Sequence, residues 1–229
     1  MAGALPARAG LPKLSGGVAL PGGANNRVFL VEHEEGRALL KAYFRHPDDQ
    51  RDRLGAEFAF CDFAWRAGIR EVPRPLARDD RTLLALYEFI EGRPCRAADV
   101  GVGAVLEAAR FFGEINRHRA RPDATHLPAA SDACFSLADH RGLVSRRLKA
   151  LEAVQADATG SGRQAWDFIS GRLIPEWERV SFELARRWRA AKARETDLLA
   201  NEERMLSPSD FGFHNALLNA GGRLRFVDF

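Results

Sequence analysis

Cysteine is scarce: Cys61, Cys95 and Cys134 are the only three in 229 residues, far apart and with no CxxC pair. An odd, scattered set excludes a disulfide framework and a thiolate metal site, and it fits a reducing compartment. Long apolar runs are missing as well. None approaches the roughly 18–20 residues needed to cross a bilayer, so no membrane partner is expected. The opening stretch MAGALPARAGLPKLSGG is interrupted by Pro6, Arg8, Pro12 and Lys13 and holds no signal-peptide core. Charge of one sign is not in excess either. The formal net charge is +3, with 15 Lys and Arg against 14 Asp and Glu in residues 1–100, and 19 against 17 in residues 101–229. A nucleic-acid binder gathers its basic residues into a patch or stripe, so no nucleic-acid partner is expected. Internal repeats and low-complexity segments are absent. Nothing in the pattern sets an oligomeric state.

What remains is an ordinary soluble globular composition, 46% apolar and 28% charged, enough for one large domain or two lobes. Residues 1–16 read as a loose leader. The runs Arg27–Val31 and Arg37–Phe44 are rich in strand formers, with turn chemistry at Glu34–Gly36 between them. Gly22, Gly23, Ala24, Asn25 and Asn26 form a flexible turn just before. From about Asp48 to Ala67 the period becomes helical, with Leu54, Phe58, Cys61 and Trp65 on one stripe and Gly68 at a C′ position. Two more short strands flank Asp79–Asp80. Beyond Gly92-Arg93-Pro94 the strand signal fades. Helices are expected near 103–119, 136–155 and 162–193, the last broken or kinked at Pro175, with a polar loop at 121–131. A final pair of short strands surrounds Asn219–Gly222. The fold class read from this is α+β, with a β-rich lobe over 17–92, a linker near 90–94, and a mainly helical lobe over 93–229.

Two charges fall where charge is costly. Glu57 lies on the apolar stripe of its helix, and Lys41 lies within the apolar run ALLKAYF. A carboxylate in such a place is expensive unless paired, and each is the other's natural partner. The competing reading is that Lys41 snorkels at a strand edge and Glu57 is half exposed. Nearer the C-terminus, Asp210 and Asn215 stand five apart, and Asp228 follows a hairpin thirteen residues later. Phosphoryl transfer needs such groups: a carboxylate for the attacking hydroxyl, and an amide oxygen and a second carboxylate for Mg²⁺.

In this order and spacing, the loop Gly22–Asn26, Lys41, Glu57, the segment Leu86-Tyr87-Glu88-Phe89-Ile90-Glu91-Gly92, the Asp210/Asn215 pair and Asp228 resemble the aminoglycoside-phosphotransferase and choline-kinase superfamily, which has a two-lobed protein-kinase-like fold. The resemblance implies a kinase that uses ATP and Mg²⁺, works in the cytoplasm and phosphorylates a hydroxyl of a small molecule. It makes Asp210 the catalytic base, Asn215 and Asp228 the Mg²⁺ ligands, and Lys41 the contact to the α- and β-phosphates, oriented by Glu57. Backbone groups of Glu88 and Ile90 would meet adenine, and Gly22, Gly23, Ala24, Asn25 and Asn26 would cover the phosphates.

Departures from the family pattern are local. Pro208-Ser209 stands where His-Gly precedes the catalytic Asp, and Gly212-Phe213-His214 where His-Pro-Gly precedes the Asn. Members of the superfamily continue past the residue matching Asp228, so the chain is expected to be part of a longer protein, a natural short form being the other reading. The nearly neutral 101–229 region speaks mildly against a cationic aminoglycoside as native acceptor and leaves sugars and amino alcohols open. A catalytically silent kinase-like binding module is the alternative. Trp166, Trp177 and Trp188, spaced by eleven, are expected on one buried helix face, and the Arg186–Arg194 run on a solvated one.

Overall fold

Strand β3 (Gly36–Tyr43) sets out the logic of the sheet that contains it. Side chains alternate across a strand. Ala38 and Leu40 therefore join Val31, Ala77 and Leu86 in a small core on one face, while Leu39 and Tyr43 join the main core on the other. In the computed structural model residues 16–21, 26–33, 36–44, 51–152 and 160–229 are described. The five-stranded sheet is antiparallel throughout, in the order β1-β2-β3-β5-β4. Its other members are β1 (Gly16–Leu20), β2 (Asn26–His33), β4 (Pro75–Asp79) and β5 (Leu84–Glu88). The leader over residues 1–15 and the turn Gly22–Asn25 lie outside the described residues.

Helix α1 (Arg53–Arg66) begins at Asp52, whose side chain accepts the Gly55 N–H at 2.9 Å, and is followed by Gly68 at φ +90°. Its buried residues are Leu54, Glu57, Phe60, Cys61, Phe63 and Ala64. The expected stripe was narrower and included Phe58 and Trp65, which are only half-buried. The reason is that α1 is covered on more than one side. It packs on β4 and β5, and its Arg66 also pairs with Asp123 at 3.4 Å while Arg121 lies over the Phe63 ring.

A second sheet corrects the expectation of a plain linker. Arg93–Pro94 forms a short strand, β6, that pairs with β7 (Ala216–Leu218), which in turn pairs with β8 (Leu224–Phe226). Gly92 makes this possible, since a Cβ there would lie 2.7 Å from the Leu218 carbonyl oxygen. Helix α2 (Val102–Arg117) packs on β8 through aromatic rings, with Phe111 to Phe226 at 4.7 Å and Phe211 to Phe226 at 4.9 Å between centroids. Buried Asn116 clamps the segment before Asp210 onto α2. Its Nδ2 donates to the Leu206 carbonyl at 3.0 Å, and its Oδ1 accepts from the Leu206 N–H at 2.8 Å.

These elements belong to one compact unit, Met1–Ser131 with Met205–Phe229, and Asp132–Arg204 forms another. The second unit holds α3 (Leu137–Glu152), α4 (Ser161–Phe168), a π turn over Ile169–Leu173 and α5 (Ile174–Ala190). Pro175 sits in the first turn of α5, directly after the π turn. Phe168, Ile169, Leu173 and Ile174 all keep right-handed helical dihedrals, so the helix expected over 162–193 runs through 161–190. The expected kink or break takes the form of that π turn. Trp166, Trp177 and Trp188 are half-buried rather than buried, because α4 and α5 have no fully buried residue. Arg186 and Arg187 lie on an exposed face and bond Glu183 at 2.8 and 2.7 Å.

The aromatic cluster generates a stability prediction. Phe226→Ala removes a fully buried ring that touches both Phe111 and Phe211 and should cost about 3–5 kcal/mol in urea denaturation. A loss below about 1 kcal/mol would mean that these rings do not form the core.

Candidate active site

The site is built outward from β3. Lys41 is central in that strand, paired with Val28 on one side and Ala85 on the other, and it is 4% exposed. An ammonium in that position must find anions. It reaches Glu57 Oε2 on α1 at 2.6 Å and also forms an ion pair with the Asp228 carboxylate. Tyr43, two residues on and therefore on the same face, donates its hydroxyl to Glu57 Oε2 at 2.7 Å. Its own oxygen lies 2.9 Å from the Tyr87 hydroxyl on β5.

Burial alone would lower the Lys41 pKa, but Glu57 and then Asp228 outweigh it and the value stands above the ordinary 10.5. For Glu57, complete burial pushes the carboxyl upward against the opposing pull of Lys41 and Tyr43, and Asp228 adds to the upward push. Lys41 is thus raised by its two carboxylates in spite of burial, and Glu57 is raised by burial in spite of Lys41. Lys41 stays charged. Of its two carboxylate partners, Asp228 has a side chain 52% exposed, while Glu57 is enclosed.

Asp228 follows β8 with φ +66°, a left-handed conformation that is unusual for a residue other than glycine and is found where surrounding structure enforces it. The enforcing contacts are backbone hydrogen bonds. Phe226 N–H donates to the Glu71 carbonyl at 2.7 Å, and Val227 N–H to the Asn215 carbonyl at 2.9 Å. The second bond draws the Asp210–Asn215 loop alongside Asp228. Within that loop Asn215 Nδ2 donates to the Asp210 carbonyl at 3.0 Å and to its Oδ2 at 3.3 Å. His214 Nε2 stands 3.3 Å from Asp210 Oδ1. Ser209, at φ +45°, turns the chain into the loop, with Phe211 N–H bonded to the Ser209 carbonyl at 2.8 Å.

Lys41, Glu57 and Asp228 are thus in direct contact, and Asp210 and Asn215 are joined to them through the Val227 backbone. The other expected residues lie apart from this cluster. Glu88 ends β5, and its N–H donates to the Arg74 carbonyl at 2.8 Å. Its carboxylate accepts from Arg225 Nη2 at 3.4 Å. Ile90 follows and is buried. Asn26 opens β2 opposite Tyr43, its Oδ1 buried without a partner among the described residues. Gly22, Gly23, Ala24 and Asn25 are outside those residues. Sequence reasoning missed Tyr43, Tyr87 and Asn116. The alternation Lys41-Ala42-Tyr43 was a usable signal for the first, since it places both polar groups on one strand face.

A divalent cation fits this donor set. Asp228 supplies a half-exposed carboxylate. Asn215, with its Nδ2 turned toward Asp210, has its amide oxygen left for a hard cation. Among the described residues no group of three or more His, Cys, Asp or Glu could hold a metal ion. Mg²⁺ is commonly bound by one or two protein oxygens, with phosphates and water completing its octahedron.

A family model described as "Phosphotransferase enzyme family" matches residues 16–229. No curated protein matches. Among solved structures, choline kinase from Cryptosporidium parvum superposes with a TM-score of 0.59 at 14% identity, covering 92% of this chain and 57% of that one. Spectinomycin phosphotransferase, solved with ADP and spectinomycin, gives a TM-score of 0.60 at 13% identity over 94% of this chain and 64% of that one. A macrolide 2′-phosphotransferase type I gives 0.52 at 15% identity over 98% and 68%. The chain therefore spans 57% and 64% of the length of the first two. At such identities the likeness speaks for the fold, an α+β kinase-like fold with an N-terminal antiparallel sheet and a helical region after it.

The buried cluster should have an alkaline signature. Burial, then Glu57, pushes the Tyr43 hydroxyl above its ordinary 10.0, and Lys41 is raised too. Both groups hold their protons more tightly folded than unfolded, so their stabilisation is complete below their unfolded values and is lost as pH rises through the folded ones. The urea midpoint should fall once pH passes about 10, and Tyr43→Phe should remove part of the fall. An identical slope in the variant would show that Tyr43 does not contribute.

Proposed function

The chain belongs to the phosphotransferase enzyme family, and from that premise we propose that it carries the Mg·ATP site of a small-molecule kinase, transferring the γ-phosphoryl group to a hydroxyl of its acceptor. The observation that carries this reading is the buried ammonium of Lys41 held between Glu57 and Asp228. A fixed, dry positive charge beside a half-exposed carboxylate suits a polyphosphate with its counter-ion, and an apolar pair would satisfy the core at lower desolvation cost.

In this reading residues 17–92 bind the nucleotide and residues 93–229 carry the catalytic loop. Lys41 contacts the α- and β-phosphates, and Glu57 orients it. Backbone groups of Glu88 and Ile90 meet adenine, and Gly22 to Asn26 cover the phosphates. Asn215 and Asp228 hold Mg²⁺, which when bound offsets the phosphate charge and the charge that develops on transfer. Asp210, with its carboxylate exposed, accepts or orients the proton of the attacking hydroxyl. The acceptor is a sugar, an amino alcohol or an aminoglycoside-like compound. The named neighbours, a choline kinase, a spectinomycin phosphotransferase and a macrolide phosphotransferase, support a hydroxyl acceptor. The work belongs in the cytoplasm, where ATP is at hand. Among the described residues no helix is long and apolar enough to cross a membrane.

Thermal shift with Mg·ATP is the test. Ligand at about 100 times its Kd stabilises by about 2.7 kcal/mol, and the shift should require Mg²⁺ and vanish in Asp228→Ala. Absence of any shift in the unaltered protein would overturn the reading and leave a catalytically silent binding module.

A further inference from the structure

The chain contains only two tyrosines, and both lie in the interior beside Glu57. Tyr43 and Tyr87 are almost fully buried and their hydroxyls are 2.9 Å apart. A buried hydroxyl is costly unless bonded, and phenylalanine would fill nearly the same space without that requirement. The proton directions follow from the chemistry of the acceptor. An ionised Glu57 can only accept, so the Tyr43 proton goes to Oε2 at 2.7 Å. Tyr43 then has no proton left for Tyr87, and Tyr87 donates to Tyr43. The result is a one-way chain from β5 through β3 to the carboxylate, in which each donation strengthens the next.

Tyr43 also touches the ammonium. Lys41 Nζ lies 5.1 Å from the centre of its ring, so the ring meets Lys41 while the hydroxyl meets Glu57. Both Lys41 and Tyr43 direct a hydrogen bond to the same oxygen, Oε2. Two donors on one oxygen fix the rotation of the carboxylate, which one donor would not. The consequence falls on Lys41, which has a second anion to follow, the half-exposed Asp228.

We propose that Tyr43 is a positioning residue of the phosphoryl-transfer site, its hydroxyl locking Glu57 toward Lys41, with Tyr87 locking Tyr43 in turn. The inference rests on the Mg·ATP reading given above. There Asp228 is committed to the metal, and Lys41 depends on Glu57 alone to stay aimed at the phosphates. The hydroxyl chain matters most in that state.

The test is calorimetric titration of Mg·ATP into the unaltered protein, Tyr43→Phe, Glu57→Ala and the double variant. Tyr43→Phe keeps the ring under Lys41 and removes only the donor. It should weaken binding about tenfold, the order expected for a hydrogen bond to a charged group. In the Glu57→Ala background the same change should alter the Kd by less than about twofold, because no carboxylate remains to be positioned. A merely structural hydroxyl would lower the melting temperature and leave the Kd of the folded protein unchanged. Tyr87→Phe, one bond further from Glu57, should weaken binding less, about threefold, and serves if Tyr43→Phe does not fold. Unchanged affinity in both tyrosine variants, or losses that add independently of Glu57, would overturn the inference while leaving the kinase reading intact. No Mg·ATP binding by the unaltered protein would overturn both.

Discussion

A single ammonium ion in a dry interior organises this protein. Lys41 is buried among Glu57, Asp228 and the Tyr43 ring, and taking such an ion out of water costs several kcal/mol unless its partners are held in place. Every element near it contributes to that holding. Strand β3 brings Lys41 and Tyr43 to the same face, α1 presents Glu57 from its second turn, and β5 supplies Tyr87 behind them. The charges do not cancel, since two carboxylates meet one cation. The carboxylate that water can reach is Asp228, whereas Glu57 is enclosed.

Bringing residue 228 to residue 41 is a long-range problem, solved with backbone hydrogen bonds and the contacts of one arginine. Phe226 and Val227 each donate to a carbonyl of a distant segment, Glu71 and Asn215. Arg225 reaches the Val72 carbonyl at 3.3 Å and Glu88 at 3.4 Å, linking the end of β5 with β8. Together these contacts fix the chain just before the left-handed turn at Asp228, and beyond it the Phe229 ring lies 4.8 Å from that of Phe60. The left-handed backbone at this point falls on the residue whose carboxylate meets both Lys41 and solvent.

Much of this was legible in the sequence because the costly placements were visible there. Glu57 inside an apolar stripe and Lys41 inside an apolar strand demanded each other, and the structure joins them. Asp210 and Asn215, five apart, stand in one loop as their spacing suggested. The strands of the first sheet and the helix ending before Gly68 also followed from local rules of alternation and capping, while at Pro175 the helix carries a π turn just ahead of the proline rather than a break. Less legible were features that depend on distant partners. Arg93–Pro94 has no strand character of its own and pairs only because β7 arrives beside Gly92. Asn116 looks like any polar residue in a helix until Leu206, ninety positions away, supplies both a donor and an acceptor. The half-buried state of Trp166, Trp177 and Trp188 likewise reflects which faces of α4 and α5 are covered, and periodicity does not report that.

The same contacts bear on the unusual Pro208-Ser209 pair before Asp210. If the residues just ahead of Asp210 positioned the loop by themselves, their identity would decide its geometry. Here the loop is held from both ends by other means. Asn116 fixes Leu206 upstream, and Phe211 is set among Phe111, Phe112 and Phe226 just downstream. Asn215 then closes the loop through Asp210 and through the Val227 N–H. Between these anchors Pro208 is fully buried and Ser209 takes the left-handed turn. The proline stiffens the approach, since its φ is locked. The loop's geometry is therefore a property of α2, β7 and β8 as much as of its own residues, and a change confined to positions 208 and 209 acts on a frame that is already tied down.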